Sequence, residues 1–295
     1  MILVAGGTGL LGHDVVAQLL EAGEDVRVLT RDADAARRIL GRDAQVAVGD
    51  VRQPETVREA VRGASVVISA VHGFLGGRGA GPQQIDVEGN AALAAAAAAE
   101  GAGMVLVSVL RASGESPIEL FRAKWAAEQL VQESLSAWTI VRPSAYMETW
   151  IGVIRATAGK SGRPLIFGRG QQPIAFVSVA DVARVVARAA VDETLRGQIL
   201  EIAGPRCTMT ELADAVRSAD GGVNRPRHLP RGVLRATGVL ARPFAPAFAR
   251  QNVTALAMDT QDLGDADGDI RARLALAPAT SLAAAVAQMT TQVTR

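Results

Sequence analysis

The chain has 295 residues, enough to bury a sizeable core as one large domain or two unequal lobes. Its 31 basic and 30 acidic residues leave a net charge of +1. That balance argues against a nucleic-acid binder or a membrane-surface protein and points to small-molecule ligands. The single Cys207 excludes an internal disulfide and a two-cysteine metal site, so no metal is expected and a reducing, cytoplasmic setting fits. The apolar pattern starts at Ile2 with no charged leader, and no signal peptide is expected. The sequence does not set the oligomeric state, monomer or weak dimer.

In chain order, "ILVA" (2–5), "VRVLT" (26–30), "QVAV" (45–48), "VVISAV" (66–71), "MVLVSV" (104–109) and "WTIV" (138–141) read as strands. Several are apolar throughout, as strands covered on both faces should be. Helical patterns fill 10–22, 33–40, 54–62, 85–100 and 117–134. The alanine-rich run from Ala91 to Leu110 is broken by Glu100, Gly101 and Gly103, so it divides into a buried helix and a buried strand rather than a membrane span. Regular strand–helix alternation predicts an α/β fold with a doubly wound parallel sheet of Rossmann type over residues 1–143.

After Arg142-Pro143 the rhythm loosens. Strands are predicted at 173–179 and 198–203 and helices at 180–191 and 209–219. A Pro/Arg-rich stretch runs from 224 to 246, and a last helix covers 281–293. Residues 173–203 are expected to return to the sheet edge, and 144–295 to form a smaller, mostly helical substrate lobe. Ser178 and Asp181 have capping-box spacing, which explains both without catalysis.

"VAGGTGLLG" places Gly6, Gly9 and Gly12 between strand one and helix one. Glycines there let backbone amides of Gly6, Thr8, Gly9, Leu10, Leu11 and Gly12 approach a pyrophosphate at the helix N-terminus. The context, strand before and helix after within a βαβ unit, is the one the motif requires. Strand two ends in "LTRD". Arg31 stands where an arginine suits a ribose 2′-phosphate, so NADP(H) is predicted over NAD(H); Asp32 is better placed as a helix cap than as a ribose acid. After strand three, Asp50 either contacts the adenine or begins a turn, with Val51 beside it. Ser69, Ala70 and Val71 close strand four alongside the cofactor, followed by His72, a candidate substrate contact or acid–base group that an exposed loop histidine would also explain.

Lys124, in "ELFRAKWAAEQL", is one of only two lysines. A slender ammonium can enter a narrow cleft, and its pKa responds to desolvation, whereas a guanidinium is broader and stays charged. With "VAGGTGLLG", "VLTRD", "IDVEGNAALAAAAAAEGAGMVLVSV", "KWAAEQLVQES", "WTIVRPSAYMETW" and "FVSVADVAR" in order over about two-thirds of the chain, the sequence resembles the atypical short-chain dehydrogenase/reductases, closest to the NmrA-like NAD(P)H-binding proteins. The resemblance implies that Lys124 contacts the nicotinamide ribose, that Ser108 occupies the active-site serine position, that Pro143 lies in the cofactor site, and that Asn90 is structural. It also exposes a departure: four residues before the lysine, where the wider superfamily keeps a tyrosine, stands Leu120. The only tyrosine is Tyr146. In "RPSAYMETW" it becomes the replacement proton donor or a pocket wall, with Met147 and Trp150 as further substrate contacts. The expected activity is NADPH-dependent reduction of a small apolar carbonyl, quinone or conjugated alkene; the alternative is a non-catalytic dinucleotide redox sensor.

Overall fold

A computed structural model describes residues 1–41, 43–222 and 224–293, without side chains for Lys160 and 291–293. The chain divides into two compact units, Met1–Arg142 with Val182–Leu200, and Pro143–Asp181 with Glu201–Arg295.

The first unit alternates as the sequence predicts: β1 (Ile2–Ala5), α1 (Leu10–Glu21), β2 (Val26–Thr30), α2 (Ala33–Leu40), β3 (Gln45–Val48), α3 (Pro54–Val61) and β4 (Val66–Ser69). A π-helix, Gln83–Glu88, then runs into α4 (Gly89–Glu100), followed by β5 (Gly103–Val107), α5 (Glu119–Ser134) and β6 (Trp138–Pro143). Apolar strands such as β1 and β5 are buried at every position, because helices cover both faces of the sheet. The Ala91–Leu110 run breaks where expected. Gly101 adopts φ +67°, and the amides of Gly101 and Ala102 bond the carbonyls of Ala98 and Ala97, which closes α4 and releases the chain into β5.

The strands beyond the first unit's main run are β7 (Ala145–Tyr146), β8 (Leu165–Phe167), β9 (Pro173–Val177), β10 (Gln198–Ile202), β11 (Arg206–Thr208) and β12 (Arg227–Leu229). The large sheet has the order β10-β6-β5-β4-β1-β2-β3, with parallel pairing from β6 through β3. Strand order reverses between β1 and β4, and ligands of such sheets lie beyond the carboxyl ends at that switch point. Of the segment expected to return to this sheet, only part does. β10 joins its edge beside β6, whereas β9 pairs with β7 and β11 in a separate three-stranded sheet. The correction has a simple cause: β9 is followed at once by α7 (Val179–Val191), so it is β10 that returns to the large sheet.

The second unit adds α6 (Met147–Ala158), α8 (Met209–Ala219), α9 (Arg231–Leu240), α10 (Pro246–Thr260), α11 (Ile270–Arg273) and α12 (Leu282–Val293). Its core gathers Met147, Ile151 and Ile154 of α6 with Phe176, Leu212, Val216 and Met258. Thr208 and Glu211 form a capping box at α8. The buried Asp259 accepts from the amides of Arg169 and Gly170 at 2.9 and 2.7 Å and from Arg231 at 2.5 Å, tying the end of α10 to α9. Ser178 accepts from the Asp181 amide at 3.1 Å as a cap, while the Asp181 carboxylate reaches Thr280 and Arg271. Among the described residues no helix is long and apolar enough to cross a membrane.

Candidate cofactor site

The glycine turn after β1 is shaped by what it cannot accommodate. Gly6 has φ +87°, and a Cβ there would lie 2.8 Å from the Ala70 carbonyl oxygen. A Cβ on Gly12 would overlap the Gly6 carbonyl, so α1 starts directly on the turn. The cap residue Gly9 offers no side chain to the first-turn amides, and no acid stands in that turn. Unsatisfied N–H groups at the positive end of a helix fit a pyrophosphate. Gly9 and Leu10 are exposed, Thr8 is half-buried, and Leu11 and Gly12 are buried beneath them.

At the ends of β2 and β3, Asp32 accepts from the Ala35 amide at 2.9 Å and so caps α2, leaving Arg31 exposed beside it. Asp50 begins a turn. Its carbonyl accepts from Gln53 at 2.9 Å, and its carboxylate is held by the Arg52 guanidinium at 2.5–3.1 Å. These Arg52 hydrogen bonds hold the Asp50 carboxyl below its ordinary range against a partial desolvation, with the Arg31 charge adding in the same direction. Arg52 also reaches the Gly79 carbonyl at 3.1 Å, bridging to the glycine-rich loop after β4. Val51 is buried and packs under Gly89 at the start of α4.

The end of β4 joins the turn to Lys124. Ala70 donates to the Ala5 carbonyl at 2.9 Å, and the next residue, Val71, accepts from Lys124 Nζ at 2.8 Å. Lys124 is 3 % exposed, so it is not a surface lysine trailing into water. Nζ also lies 3.0 Å from Oδ1 of the fully buried Asp86, an ion pair by distance whose alignment falls short of a hydrogen bond. The other Asp86 oxygen accepts from the Gly73 amide at 2.7 Å. Ser69 donates to Asn90 Oδ1 at 2.5 Å, and Asn90 donates to the Asp86 carbonyl at 2.7 Å. Ser69, Asn90, Asp86 and Lys124 are thus linked across β4, α4, the π-helix and α5, with Asp86 joined to Asn90 through its main-chain carbonyl and to Lys124 through its carboxylate. An ammonium has three N–H groups. Val71 takes one, and the Asp86 charge holds the head in place while leaving donor capacity for a ligand hydroxyl.

His72 follows Val71 and is exposed as a residue, yet the atoms crowding its ring push its pKa below the ordinary 6.5. The Lys124 charge acts the same way and Asp86 opposes it. Ser108 is 2 % exposed, and its hydroxyl donates to the buried Glu128. Glu128 also takes two bonds from Arg142, at 2.9 and 2.6 Å. Ser108 is therefore engaged in a brace between β5, α5 and β6.

The remaining expected residues belong to the second unit. Pro143 is buried at the end of β6. Tyr146 closes β7, and burial, aided by the Glu148 carboxylate, pushes its phenol above the ordinary range. Met147 is fully buried among Ile151, Ile154 and Phe176, so core packing accounts for it. Trp150 packs on the same core and lines a narrow cavity with Phe167, Met209 and Met258. Burial raises the Cys207 thiol to about 11, which keeps it protonated and unreactive. Among the described residues no group of His, Cys, Asp and Glu is placed to hold a metal.

Sequence reasoning passed over Asp86, Glu128 and Arg142. Asp86 had a readable signal: an acid four residues before Asn90 at the entry to an alanine-rich helix, on the same face. Glu128 and Arg142 had none, since each resembles an ordinary surface charge until the fold brings them together.

A family model described as NAD(P)H-binding matches residues 6–193. An NAD(P)H azoreductase of Xenophilus azovorans is 32% identical over 223 residues, covering 75% of this chain and 74% of the relative. A NADPH-dependent quinone oxidoreductase of Escherichia coli, solved with NADPH, superposes with a TM-score of 0.76 at 22% identity, covering 98% of this chain and 100% of that one. The triphenylmethane reductase of Citrobacter sp., complexed with NADP(H), gives 0.77 at 20% identity over 98% and 99%. With the glycine turn, the switch-point topology and the family match on one segment, the chain belongs to the NAD(P)H-binding family, the NmrA-like branch of the atypical short-chain dehydrogenase/reductases.

Proposed function

We propose that the protein is an NADPH-dependent reductase of a small apolar, conjugated acceptor: a quinone, an enone or activated carbonyl, or, by analogy with the azoreductase relative, an azo compound. The observation that carries this reading is Lys124, buried at the end of β4, next to the glycine turn, with Val71 and Asp86 fixing its head and donor capacity to spare. A lysine kept only for solubility would not be sunk there against an acid. When bound, the dinucleotide supplies a hydride. The chain's own groups would do the rest. The amides of the Gly6–Gly12 turn would hold the pyrophosphate, Arg31 the 2′-phosphate, Val51 the adenine edge, and Lys124 the nicotinamide ribose, with Ser69, Ala70 and Val71 as the floor. His72, whose pKa is lowered by burial of its ring and by the nearby Lys124 charge, would be neutral at physiological pH.

The proton has no strong internal source on this reading. Leu120 replaces the usual tyrosine, Ser108 is committed to Glu128, and Tyr146 is pushed away from the pKa range that suits a general acid. Acceptors that draw their proton from water fit such a site. The single Cys207 and the absence of a disulfide support a reducing compartment.

The missing tyrosine also favours a second reading, a dinucleotide-binding redox sensor without turnover. Steady-state oxidation of NADPH and of NADH against quinones, enones, ketones and azo dyes separates the two. Turnover with at least one acceptor that falls in Lys124→Ala supports the reductase. Tight NADPH binding without turnover on every acceptor would leave the sensor.

A further inference from the structure

The whole-chain charge balance hides a local surplus. From Gly221 to Met258 the sequence carries six arginines and no acid. Arg231 is committed to Asp259 at the far end of α10. Among the described residues, the exposed Arg225, Arg227, Arg235 and Arg242 have no acid partner.

Among the described residues, the same segment carries the three most exposed large apolar side chains. α9 buries Leu234 and Gly238, with Gly238 facing Asn252 and Val253 of α10, and leaves Val239 68 % and Leu240 72 % exposed. The turn into α10 exposes Phe244 by 87 %, and Phe248 in the first turn of α10 by 50 %. Apolar residues scattered singly need no explanation; four clustered about one helix–helix turn, with Arg242 among them and Arg235 one helical turn before Val239, do. The pattern is that of an interfacial element, with large apolar side chains at the tip and arginines at headgroup depth.

We propose that the tip of the α9–α10 hairpin is a docking surface for an anionic lipid bilayer, with Leu240, Phe244 and Phe248 entering the headgroup layer and Arg235 and Arg242 holding lipid phosphates. Charge decides the occupant. A second copy meeting this patch about a two-fold axis would set Arg235 and Arg242 against themselves, with no acid in the segment to offset them. A bilayer supplies the anionic plane and the apolar layer together, and arginine suits phosphate oxygens through paired N–H groups. Such docking would be peripheral, and it is independent of the reductase reading.

The test is flotation of the full chain with vesicles of phosphatidylcholine alone, or containing about a third phosphatidylglycerol, at low and high salt. The chain is expected to float with the anionic vesicles only, and less so at high salt. Each arginine near an anionic surface is worth a factor of about five in partitioning, so Arg235→Ala with Arg242→Ala should weaken binding about 25-fold. Leu240→Ser with Phe244→Ser should also release the protein, and because both side chains are already in water the thermal midpoint should hold. No flotation of the wild type would overturn the proposal. So would flotation unchanged in both double variants, or a dimer in light scattering that Phe244→Ser dissolves while vesicles are ignored.

Discussion

Asp86→Asn tests whether the buried pair at Lys124 is structural, functional or both. The substitution keeps shape and leaves an acceptor for the Gly73 amide, but it strands a buried ammonium with the Val71 carbonyl as its one remaining protein ligand. Both partners are nearly inaccessible, with side-chain exposures of 4 and 0 %, so solvent screening gives little relief. Removing one partner of such a pair costs about 3–5 kcal/mol. Urea unfolding should register this as a lower midpoint with an unchanged slope. The double variant Asp86→Leu, Lys124→Met removes both charges. Replacing a buried pair by apolar groups is neutral or stabilising by about 1–4 kcal/mol, and the orphaned Gly73 amide costs about 1–3 kcal/mol, so the double variant should return close to wild-type stability. It should nonetheless fail to position the cofactor and turn over. A loss below about 1 kcal/mol in Asp86→Asn would show that the pair contributes nothing. A double variant with full NADPH turnover would make Lys124 a structural residue and remove the support for its functional role.

If Arg31 holds the 2′-phosphate, Arg31→Ala deletes a charge-assisted contact worth about 1.5–3 kcal/mol, so NADPH affinity measured by fluorescence titration should fall about ten- to a hundred-fold while NADH affinity holds; equal losses would make Arg31 a fold residue. Tyr146 is the sole tyrosine, so ultraviolet absorbance of the phenolate reads it alone. Because its folded pKa is raised above the ordinary 10.0, ionisation should begin only above that value, and its contribution to stability is kept below pH 10 and lost as pH rises further. Tyr146→Phe should leave turnover unchanged; a loss of about 10²–10⁴ would identify a proton donor after all. His72 has a depressed pKa, so its NMR titration midpoint should lie below 6.5 and move upward in Lys124→Met. Its contribution to stability is present above pH 6.5 and lost as pH falls through the folded value, and a midpoint at or above 6.5 would contradict the crowded site.

The parts of the fold legible in the sequence were those set by local chemistry. β1, β5 and α4 could be read because burial on both faces writes itself as unbroken apolar runs, and Gly101 marks the stop between helix and strand. The glycine turn could be read because a positive φ at Gly6 and the close approach at Gly12 each admit only glycine. Helix α6, with Gly152 and several β-branched residues, and α10, with the buried Asn252, could not, because their stability comes from tertiary packing rather than propensity. The sequence reading of β4, 66–71, runs two residues past its end at Ser69. Ala70 and Val71 are as apolar as the strand before them, but β1 turns away at Gly6 after the Ala70 amide has bonded the Ala5 carbonyl, and the Val71 carbonyl is taken by the Lys124 ammonium.

Among the candidate site residues, those fixed by backbone were legible and those fixed by pairing were not. The opening pattern gives the positions of Gly6, Gly12 and Arg31 after the first two strands, but the partners of Ser108, read only as matching an active-site serine position, are Glu128 and Arg142, brought to it from α5 and β6. That brace bears on the proposed chemistry. The Ser108 hydroxyl is spent on the buried Glu128 carboxylate, and Leu120 is apolar where the resemblance implies a tyrosine. On the proposed reading, the site would keep a lysine to orient the cofactor and would lack groups that polarise a substrate oxygen. Such a site can lower a barrier by orientation and by excluding water from the transferring hydride, which suffices for acceptors already electron-poor. It gives little help to an unactivated ketone, whose reduction needs a donor at the oxygen. On the proposed reading, the order of substrates therefore follows electron affinity, with quinones ahead of enones and simple ketones last.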